Sequence, residues 1–410
     1  MPSTKEYIKN SMKILHIIPS YLPAVVASGP ILPTHFLNEE LVKMGHSVAV
    51  CATNLDGGKV LDVPLKNPVL IDGVKVNYFP SKFLKRWYFS AEMAAFLREE
   101  MNSFDITHIT SVFLFQSFIG ARYAKRFRKP YIISPHGNFM KEPLEMKSRL
   151  RKKIYISLVE KKILAGAAAV HFTAEKEKEE YIAADMPARK AIVIPNSYKA
   201  ETYTEKKDIR RKFGIPADKK IIIQIGRIGW KKGFDTLIPA FAEVLFKEPK
   251  AALVIAGGDD GGYKKEVLNL IEKYGLRAGE NVFFVGMVLE ADKYSLLKES
   301  AVFTLPSYSE NFGMVVVESL AHGVPVVIST GVGISSRIEK EGAGIVVPKD
   351  ARALAEAILR VLGNRVLATE LSRKGIEFVN KYYRPREVAK NFSLVYEELA
   401  AAPRKPENGV

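Results

Sequence analysis

The sequence predicts an α/β protein with two domains, each built around a parallel β-sheet. Short apolar runs of strand type alternate along the chain with stretches of helical spacing, an alternation typical of a parallel sheet with helices on both faces. A chain of 410 residues is also too long for a single hydrophobic core and suits two domains. A charged stretch from Ser197 to Asp218, which contains Pro216, indicates the linker between them.

The first half of the chain contains the strand patterns of one sheet. An apolar strand is predicted at residues 13–18, and the pair Gly29-Pro30 precedes a helix that ends at Lys43. The further strand runs are HSVAVC, VKVNYF, DITHIT, PYIIS, AAVHF and AIVIP, and SRLRKKIYISLVEKKILAGA is predicted to be a long amphipathic helix. We assign residues 1–200 to this domain.

The second half repeats the alternation after the linker. Its strand runs are KIIIQIGR, AALVIAGG, NVFFVG, AVFTLP, VPVVIS and GAGIVVP, and helices are predicted from Asp235 to Phe246 and from Tyr263 to Tyr274. We assign residues 201–384 to this domain and residues 385–410 to a C-terminal helix with a polar tail.

The composition is that of an ordinary globular protein, with 47% hydrophobic and 26% charged residues. The single cysteine, Cys51, cannot form an internal disulfide and fits a reducing compartment, so we expect a cytoplasmic protein. The apolar run after Lys13 imitates a signal peptide, but His16 and Pro19 interrupt it, which favours a buried strand. No stretch reaches the roughly 18 uninterrupted apolar residues of a spanning helix.

The net charge of +16 is concentrated in the first half, where residues 1–200 hold 29 basic against 18 acidic residues. The basic and aromatic runs at 82–89 and 149–162 suit an anionic surface at the inner face of the membrane or a lipid-linked phosphate acceptor. A solvated helix face explains the same runs equally well. We expect no nucleic acid partner, because no recognised nucleic-acid-binding module is present.

The stretch from Pro306 to Val327 carries two glutamates in a buried strand-loop-helix-strand unit. Glu310 lies in the predicted loop, and Glu318 lies about two turns inside the helix. Unpaired N–H groups at such a helix start favour an anion, and Gly313 allows a ligand to approach the main chain. Glu318 is placed to accept hydrogen bonds from a vicinal diol such as that of ribose. The alternative is that both glutamates are solvated charges.

A second group of polar residues follows the first strand of the C-terminal half. Arg227 and Lys232 stand five residues apart in one loop, where they could converge on a diphosphate, while Lys231 is predicted to face solvent. The alternative is a solvated basic loop. In the N-terminal half, His136 follows a buried strand within SPHGNF and precedes a glycine. A lone histidine is more often structural than catalytic, but this position makes His136 a better candidate for a ligand site than an average histidine.

The two glutamates in E-x7-E spacing, together with GRIGWKKGFDTLIPAF, resemble the retaining family-4 glycosyltransferases of the GT-B fold, from Met12 to about residue 400. The resemblance implies two Rossmann-like domains facing a cleft, with the final helix from Pro385 crossing back to the first domain. It further implies transfer of a sugar from a UDP- or GDP-sugar to an acceptor hydroxyl of a glycan, glycolipid or small molecule.

The resemblance also assigns roles to residues of this chain. Arg227 and Lys232 would hold the leaving diphosphate, His136 would lie near the transferred sugar, and Glu310 would bind the hydroxyls of that sugar. Glu318 would bind the ribose. The other expected donor-binding residues are Gly29, Met287, Asn311, Phe312, Gly313 and Met314. We expect no metal and no cofactor, because there is no Asp-x-Asp pair or metal-spaced His/Cys cluster and fixed cations can stabilise the leaving group.

Two alternatives remain open from the sequence. One is a catalytically silent peripheral-membrane or scaffold protein that retains the fold. The other is a sugar-nucleotide epimerase with the same two-domain architecture.

Overall fold

The computed structural model describes residues 11–24, 29–141, 154–199, 207–288 and 290–402. The chain divides into two compact units, of which the first comprises Met1–Ser197 with Arg384–Val410 and the second comprises Tyr198–Tyr383. The sequence placed these divisions after residues 200 and 384. Each unit contains a parallel sheet with helices, as predicted for the α/β class.

The first unit contains an eight-stranded sheet in the spatial order β10-β9-β8-β7-β1-β2-β6-β5. All neighbouring pairs are parallel except β5 with β6. The strands are β1 (Lys13–Ile17), β2 (Ser47–Thr53), β5 (Val69–Ile71), β6 (Val74–Phe79), β7 (Ile106–Thr110), β8 (Tyr131–Ser134), β9 (Ala169–Phe172) and β10 (Ala191–Val193), with a separate hairpin of β3 (Leu55–Asp56) and β4 (Lys59–Val60). The antiparallel edge strand β5 was not predicted.

Helices accompany this sheet. They are α1 (Ile31–Lys43), α2 (Ala91–Glu100), α3 (Phe115–Arg126), α4 (Lys161–Gly166) and α5 (Glu175–Ala183), with a π-helical turn at Ile156–Glu160 before α4. The predicted start of the long helix that ends at Ala167 lies outside the described residues, and the described part of that run contains the π-helical turn.

The second unit contains a six-stranded, fully parallel sheet in the spatial order β13-β12-β11-β14-β15-β16. Its strands are β11 (Lys220–Ile225), β12 (Ala251–Ala256), β13 (Val282–Gly286), β14 (Ser300–Leu305), β15 (Val326–Ser329) and β16 (Ile345–Val347). The order of strands reverses between β11 and β14. Ligands of open α/β sheets bind beyond the carboxyl ends of the strands at such a switch point.

The helices of the second unit are α6 (Ile209–Phe213), α7 (Phe234–Lys247), α8 (Lys264–Lys273), α9 (Glu290–Glu299), α10 (Met314–Ala321), α11 (Ser335–Glu341), α12 (Ala351–Gly363) and α13 (Arg365–Tyr382). Helix α6 lies inside the stretch that the sequence indicated as a linker. Its first turn is capped by Asp208, whose side chain accepts a hydrogen bond from the Arg211 N–H.

The C-terminal helix α14 (Pro385–Ala401) belongs to the first unit, as the resemblance implied. Proline is favoured at the first position of a helix, because the N–H group that it lacks would have no intrahelical partner there. Val388, Phe392 and Tyr396 recur every four residues and are buried, so one face of α14 packs on the core of the first unit. Among the described residues, none of the helices combines the length and apolar character that a membrane span requires.

Candidate functional site

The loop after β14 and the start of α10 form the centre of the candidate site. Gly313 precedes α10 with a φ of +92°, which favours glycine, and a Cβ there would lie 2.9 Å from Val332. A Cβ on Gly333 would lie 1.8 Å from the Asn311 carbonyl oxygen, and the Glu310 N–H donates to the Gly331 carbonyl at 3.0 Å. The glycines thus let the loop that follows β15 lie against the glutamate loop, which fixes the position of Glu310.

Lys232 and Glu310 form an ion pair in this loop region. The Lys232 Nζ donates to Glu310 Oε2 at 2.5 Å, and only 18% and 25% of the two side chains are exposed. Lys232 ends a 3-10 turn after β11, and a Cβ on the following Gly233 would lie 2.1 Å from the Pro306 carbonyl oxygen. The loops after β11 and β14 therefore meet main chain to main chain at the switch point.

Arg227 follows the same strand but takes a different direction. Its Nη1 lies 3.1 Å from Asp260 Oδ2, and 78% of the Arg227 side chain is exposed. The sequence predicted that Arg227 and Lys232 could converge on one diphosphate. The structure brings Lys232 to Glu310 and joins Arg227 to Asp260 in the glycine-rich turn after β12.

Glu318 pairs with a lysine that the sequence reasoning did not select. Glu318 Oε2 lies 2.8 Å from the Nζ of Lys293 on α9, and only 15% and 17% of the two side chains are exposed. Beside this pair, the rings of Tyr294 and His322 stack with centroids 4.6 Å apart. Nothing in the local pattern of α9 distinguishes Lys293 from other helix lysines, because its role depends on how α9 and α10 pack.

The other predicted donor residues lie around the same sheet edge. Met287 is exposed directly after β13, and Asn311 and Met314 are partly exposed on either side of Gly313. Phe312 is buried, with its ring against that of Tyr383 at 5.6 Å, so its side chain belongs to the core and only its main chain faces the loop. In the residues that the structure describes, no group of three or more His, Cys, Asp or Glu is arranged to hold a metal ion.

Two predicted residues lie in the first unit. Gly29 is exposed just before α1. His136 follows β8 with a φ of +51°, and the next residue, Gly137, donates its N–H to Glu177 Oε1 at 2.6 Å. Burial, and to a smaller extent the nearby His171, lowers the pKa of His136 to about 3. A neutral imidazole at a strand's carboxyl end can exchange hydrogen bonds with a ligand without adding charge.

Comparison with known proteins identifies the family of the chain. The family model described as glycosyl transferase 4-like domain matches residues 34–197, and the model described as glycosyl transferases group 1 matches residues 205–378. The chain belongs to the family-4 glycosyltransferases of the GT-B fold. It is therefore a transferase.

Two relatives and two solved structures that resemble this glycosyltransferase match between 78% and 96% of its chain. An uncharacterized glycosyltransferase of Methanocaldococcus jannaschii is 29% identical over 408 residues, covering 94% of this chain and 98% of that protein. The D-inositol 3-phosphate glycosyltransferase of Corynebacterium jeikeium is 26% identical over 78% of each chain. The sucrose-phosphate synthase of Thermosynechococcus elongatus has the same fold, with a TM-score of 0.76, 24% identity and coverage of 96% of this chain and 100% of that one.

The structure of Anabaena HepE in complex with UDP and glucose also shares the fold. Its TM-score is 0.72 at 18% identity, and the match covers 94% of this chain and 100% of that one.

The first unit of the glycosyltransferase also contains a buried chain of hydrogen bonds that the sequence did not reveal. Its contacts are His171 Nε2 to the Ile194 carbonyl at 2.7 Å, Ser134 Oγ to His171 Nδ1 at 2.7 Å, His108 Nε2 to Ser134 Oγ at 2.6 Å, His108 Nδ1 to Tyr396 Oη at 2.6 Å, and His16 Nε2 to Tyr396 Oη at 3.1 Å. Burial lowers the pKa of His171 to about 4 and that of His16 to about 3, and it also lowers that of His108. The three rings are therefore neutral.

The direction of each hydrogen bond in this series follows from the Ile194 carbonyl at its end. A carbonyl only accepts, so the His171 Nε2–H must donate, and Nδ1 of the neutral ring must accept from Ser134. The same rule makes the His108 Nε2–H donate to Ser134, the Tyr396 hydroxyl donate to His108, and the His16 Nε2–H donate to Tyr396. Helix α14 is thereby joined to four strands of the sheet, β1, β7, β8 and β9, through one ordered series of hydrogen bonds.

Proposed function

We propose that this glycosyltransferase transfers a sugar from a UDP- or GDP-sugar to an acceptor hydroxyl of a glycan, glycolipid or small molecule, with retention of configuration and without a metal ion. The observation that carries the proposal is the Lys232–Glu310 pair at the β11/β14 switch point. It places a cation for a diphosphate beside a carboxylate for sugar hydroxyls, at the sheet edge where α/β proteins bind ligands.

The chemistry requires stabilisation of a departing nucleoside diphosphate. The bond from the anomeric carbon to the phosphate oxygen breaks, a bond from the acceptor oxygen to that carbon forms on the same face, and the acceptor proton passes to the leaving phosphate. Lys232, with Arg227, would neutralise the charge that grows on the diphosphate, which is the role that Mg²⁺ has in other transferases. An ammonium carries three donors, so Lys232 can contact Glu310 and a phosphate oxygen together.

The remaining donor contacts follow from the same site. Glu318 would accept hydrogen bonds from the ribose diol, and main-chain groups from Asn311 to Met314 would contact the transferred sugar. Met287 would touch the base, Gly29 the diphosphate or acceptor, and His136 the sugar. The complex of the fold relative HepE with UDP and glucose supports a nucleotide-sugar donor.

A surface of the first unit supports an acceptor at an anionic membrane surface. A cavity of about 180 Å³ is lined by apolar side chains that include Phe118 and Leu158, with Arg122, Lys125 and Lys162 among its lining residues. The exposed apolar residue Phe83 stands in the basic run at 82–89. Basic and apolar groups together suit a lipid-linked acceptor, and we propose a cytoplasmic enzyme peripheral to the inner face of the membrane.

A nucleotide screen tests the proposal. The full chain is heated with UDP, GDP or ADP, with and without a chelator, and hydrolysis of the corresponding nucleotide sugars is followed by product analysis. We expect one nucleoside diphosphate to raise the unfolding temperature, and its sugar donor to be hydrolysed with the chelator present and with retained anomeric configuration. The absence of any shift and any turnover would contradict the proposal.

A further inference from the structure

The ion pairs of this protein differ sharply in burial. Most are exposed, as in the pair of Lys247 with Glu243, whose side chains are 52% and 34% exposed. Among the pairs whose two side chains are both described, only Lys232–Glu310 and Lys293–Glu318 have neither side chain more than 25% exposed. Each contains one glutamate of the E-x7-E spacing. Low exposure therefore distinguishes Lys293, as well as Lys232, from the other lysines that form ion pairs.

A pair that is largely shielded from water needs a reason other than stability. Removing two charges from water costs about as much as their attraction returns, so apolar side chains would serve the fold equally well. Glu318 stands on α10 four residues after Met314, and Lys293 stands on α9. The pair thus connects the helix that starts at the candidate site to a neighbouring helix.

The surroundings hold both partners in place. Tyr294, adjacent to Lys293, is buried and stacks on His322 with an angle of 25° between the rings. The Nδ1 of His322 lies 2.7 Å from the Glu318 carbonyl oxygen, and the Lys293 Nζ lies 5.1 Å from the Tyr294 ring centroid. The Tyr294–His322 stack therefore joins α9 to the end of α10 beside the Lys293–Glu318 pair, and the other two contacts hold each partner on its own helix.

We propose that Lys293 is a positioning residue that orients the Glu318 carboxylate to accept both hydroxyls of a ribose-type diol. This inference rests on the proposed function. A carboxylate offers about four lone-pair sites, so one ammonium leaves room for two hydroxyl donors while it restrains the rotation of the carboxylate. Lys293 acts through Glu318 and makes no contact with the reacting atoms.

Binding of ribose and deoxyribose nucleotides tests the role of Lys293. UDP, GDP and ADP are titrated into the wild-type protein by calorimetry, and the one that binds most tightly is compared with its 2′-deoxy form. In Lys293→Met we expect roughly 10-fold weaker binding of the ribonucleotide and less than about 2-fold change for the 2′-deoxy form, because that form lacks one hydroxyl of the diol. Lys293→Arg should recover most of the loss.

The matched control is Lys298→Met, which removes the same charge from an exposed position of α9 and should leave both affinities unchanged. Equal weakening of both nucleotides in Lys293→Met, or no weakening at all, would overturn the inference while leaving the proposed function intact. If Lys293→Met does not fold, Lys293→Gln is compared in the same way. If none of the three nucleotides binds the wild-type protein, the proposed function fails and the inference fails with it.

Discussion

The Lys232 ammonium lies 2.5 Å from the Glu310 carboxylate, although 78 positions separate the two residues in the chain. The contact exists because β11 and β14 are neighbours in the sheet and Gly233 allows the two following loops to approach each other. A cation held in this way cannot move away when charge develops on a leaving group beside it. Pre-organised charge is usually the largest contribution to rate enhancement.

Replacing Lys232 should therefore abolish most of the turnover. We expect Lys232→Ala to lower kcat for sugar transfer or donor hydrolysis by about 100- to 1000-fold, because under the proposed function the variant loses the charge that stabilises the leaving diphosphate. Lys231→Ala is the control, since it removes the same charge from the same loop, where Lys231 lies over the Trp230 ring instead. Unchanged turnover in folded Lys232→Ala, verified by circular dichroism, would disprove the role.

Replacing Arg227 tests whether an exposed cation binds the donor diphosphate together with Lys232. We expect Arg227→Ala to lower kcat/KM by roughly 10- to 100-fold, the value of one or two charge-assisted hydrogen bonds, with no loss of thermal stability. Exposed ion pairs such as Arg227–Asp260 contribute only about 0–1 kcal/mol to folding. The matched control is Arg277→Ala, which breaks an exposed Arg–Glu pair elsewhere in the unit.

If Asp260→Asn lowers activity as much as Arg227→Ala, the pair itself maintains the loop and Arg227 does not act on the diphosphate. Asp260→Asn should instead retain activity, because the guanidinium stays available.

The sequence was sufficient to predict most of the helices and strands, but not the contacts between them. Runs such as KIIIQI and AALVIA are buried on both faces, so their apolar content alone predicts central strands. Helix α6 was missed because IRRKF is short and mostly charged, and its start depends on one capping contact from Asp208. The run that continues as a π-helix carries no local signal of that change.

The candidate site shows the same limit. Glu310, Glu318 and Lys232 stand out by their spacing and by the glycines around them. Their partners are set by tertiary packing. Nothing in AGGDDGG shows that Asp260 meets Arg227, and nothing in ADKYSLLKES shows that Lys293 meets Glu318. The buried histidine chain was missed for the same reason, since it joins strands and a helix that are up to 380 positions apart.

Tyr396 is the residue through which this histidine chain holds α14. Tyr396→Phe removes the hydroxyl that donates to His108 and accepts from His16, which leaves a buried acceptor and a buried donor without partners. We expect the free energy of unfolding to fall by about 1–3 kcal/mol in urea titrations followed by circular dichroism. Tyr274→Phe removes the same hydroxyl from an exposed residue and should change stability by less than about 0.5 kcal/mol. Equal effects of the two variants would contradict the proposed hydrogen bonds of the Tyr396 hydroxyl with His108 and His16.

Glu160 should give the protein an unusual dependence of stability on pH. Its side chain is fully buried at the end of the π-helical turn, Oε1 accepts from the Phe113 N–H at 2.7 Å, and Oε2 has no partner in the described part of the chain. Phe113 has a φ of +64°, so this contact holds a loop in a conformation that non-glycine residues rarely adopt. Burial raises the pKa of Glu160 to about 7, against an opposing contribution from the Phe113 hydrogen bond.

The sign of the effect follows from proton binding. Between pH 4.5 and 7 the folded protein retains a proton on Glu160 that the unfolded chain releases, so this residue lowers the free energy of unfolding as the pH rises. Glu160→Gln keeps an oxygen for the Phe113 N–H and cannot ionise. We therefore expect the stability of the variant relative to wild type to increase by on the order of 2–3 kcal/mol from pH 4.5 to pH 8, measured by urea unfolding. Glu179→Gln, at an exposed position of α5, controls for the loss of one negative charge. A constant difference in the free energy of unfolding between Glu160→Gln and wild type at every pH would show that Glu160 does not titrate between pH 4.5 and pH 8.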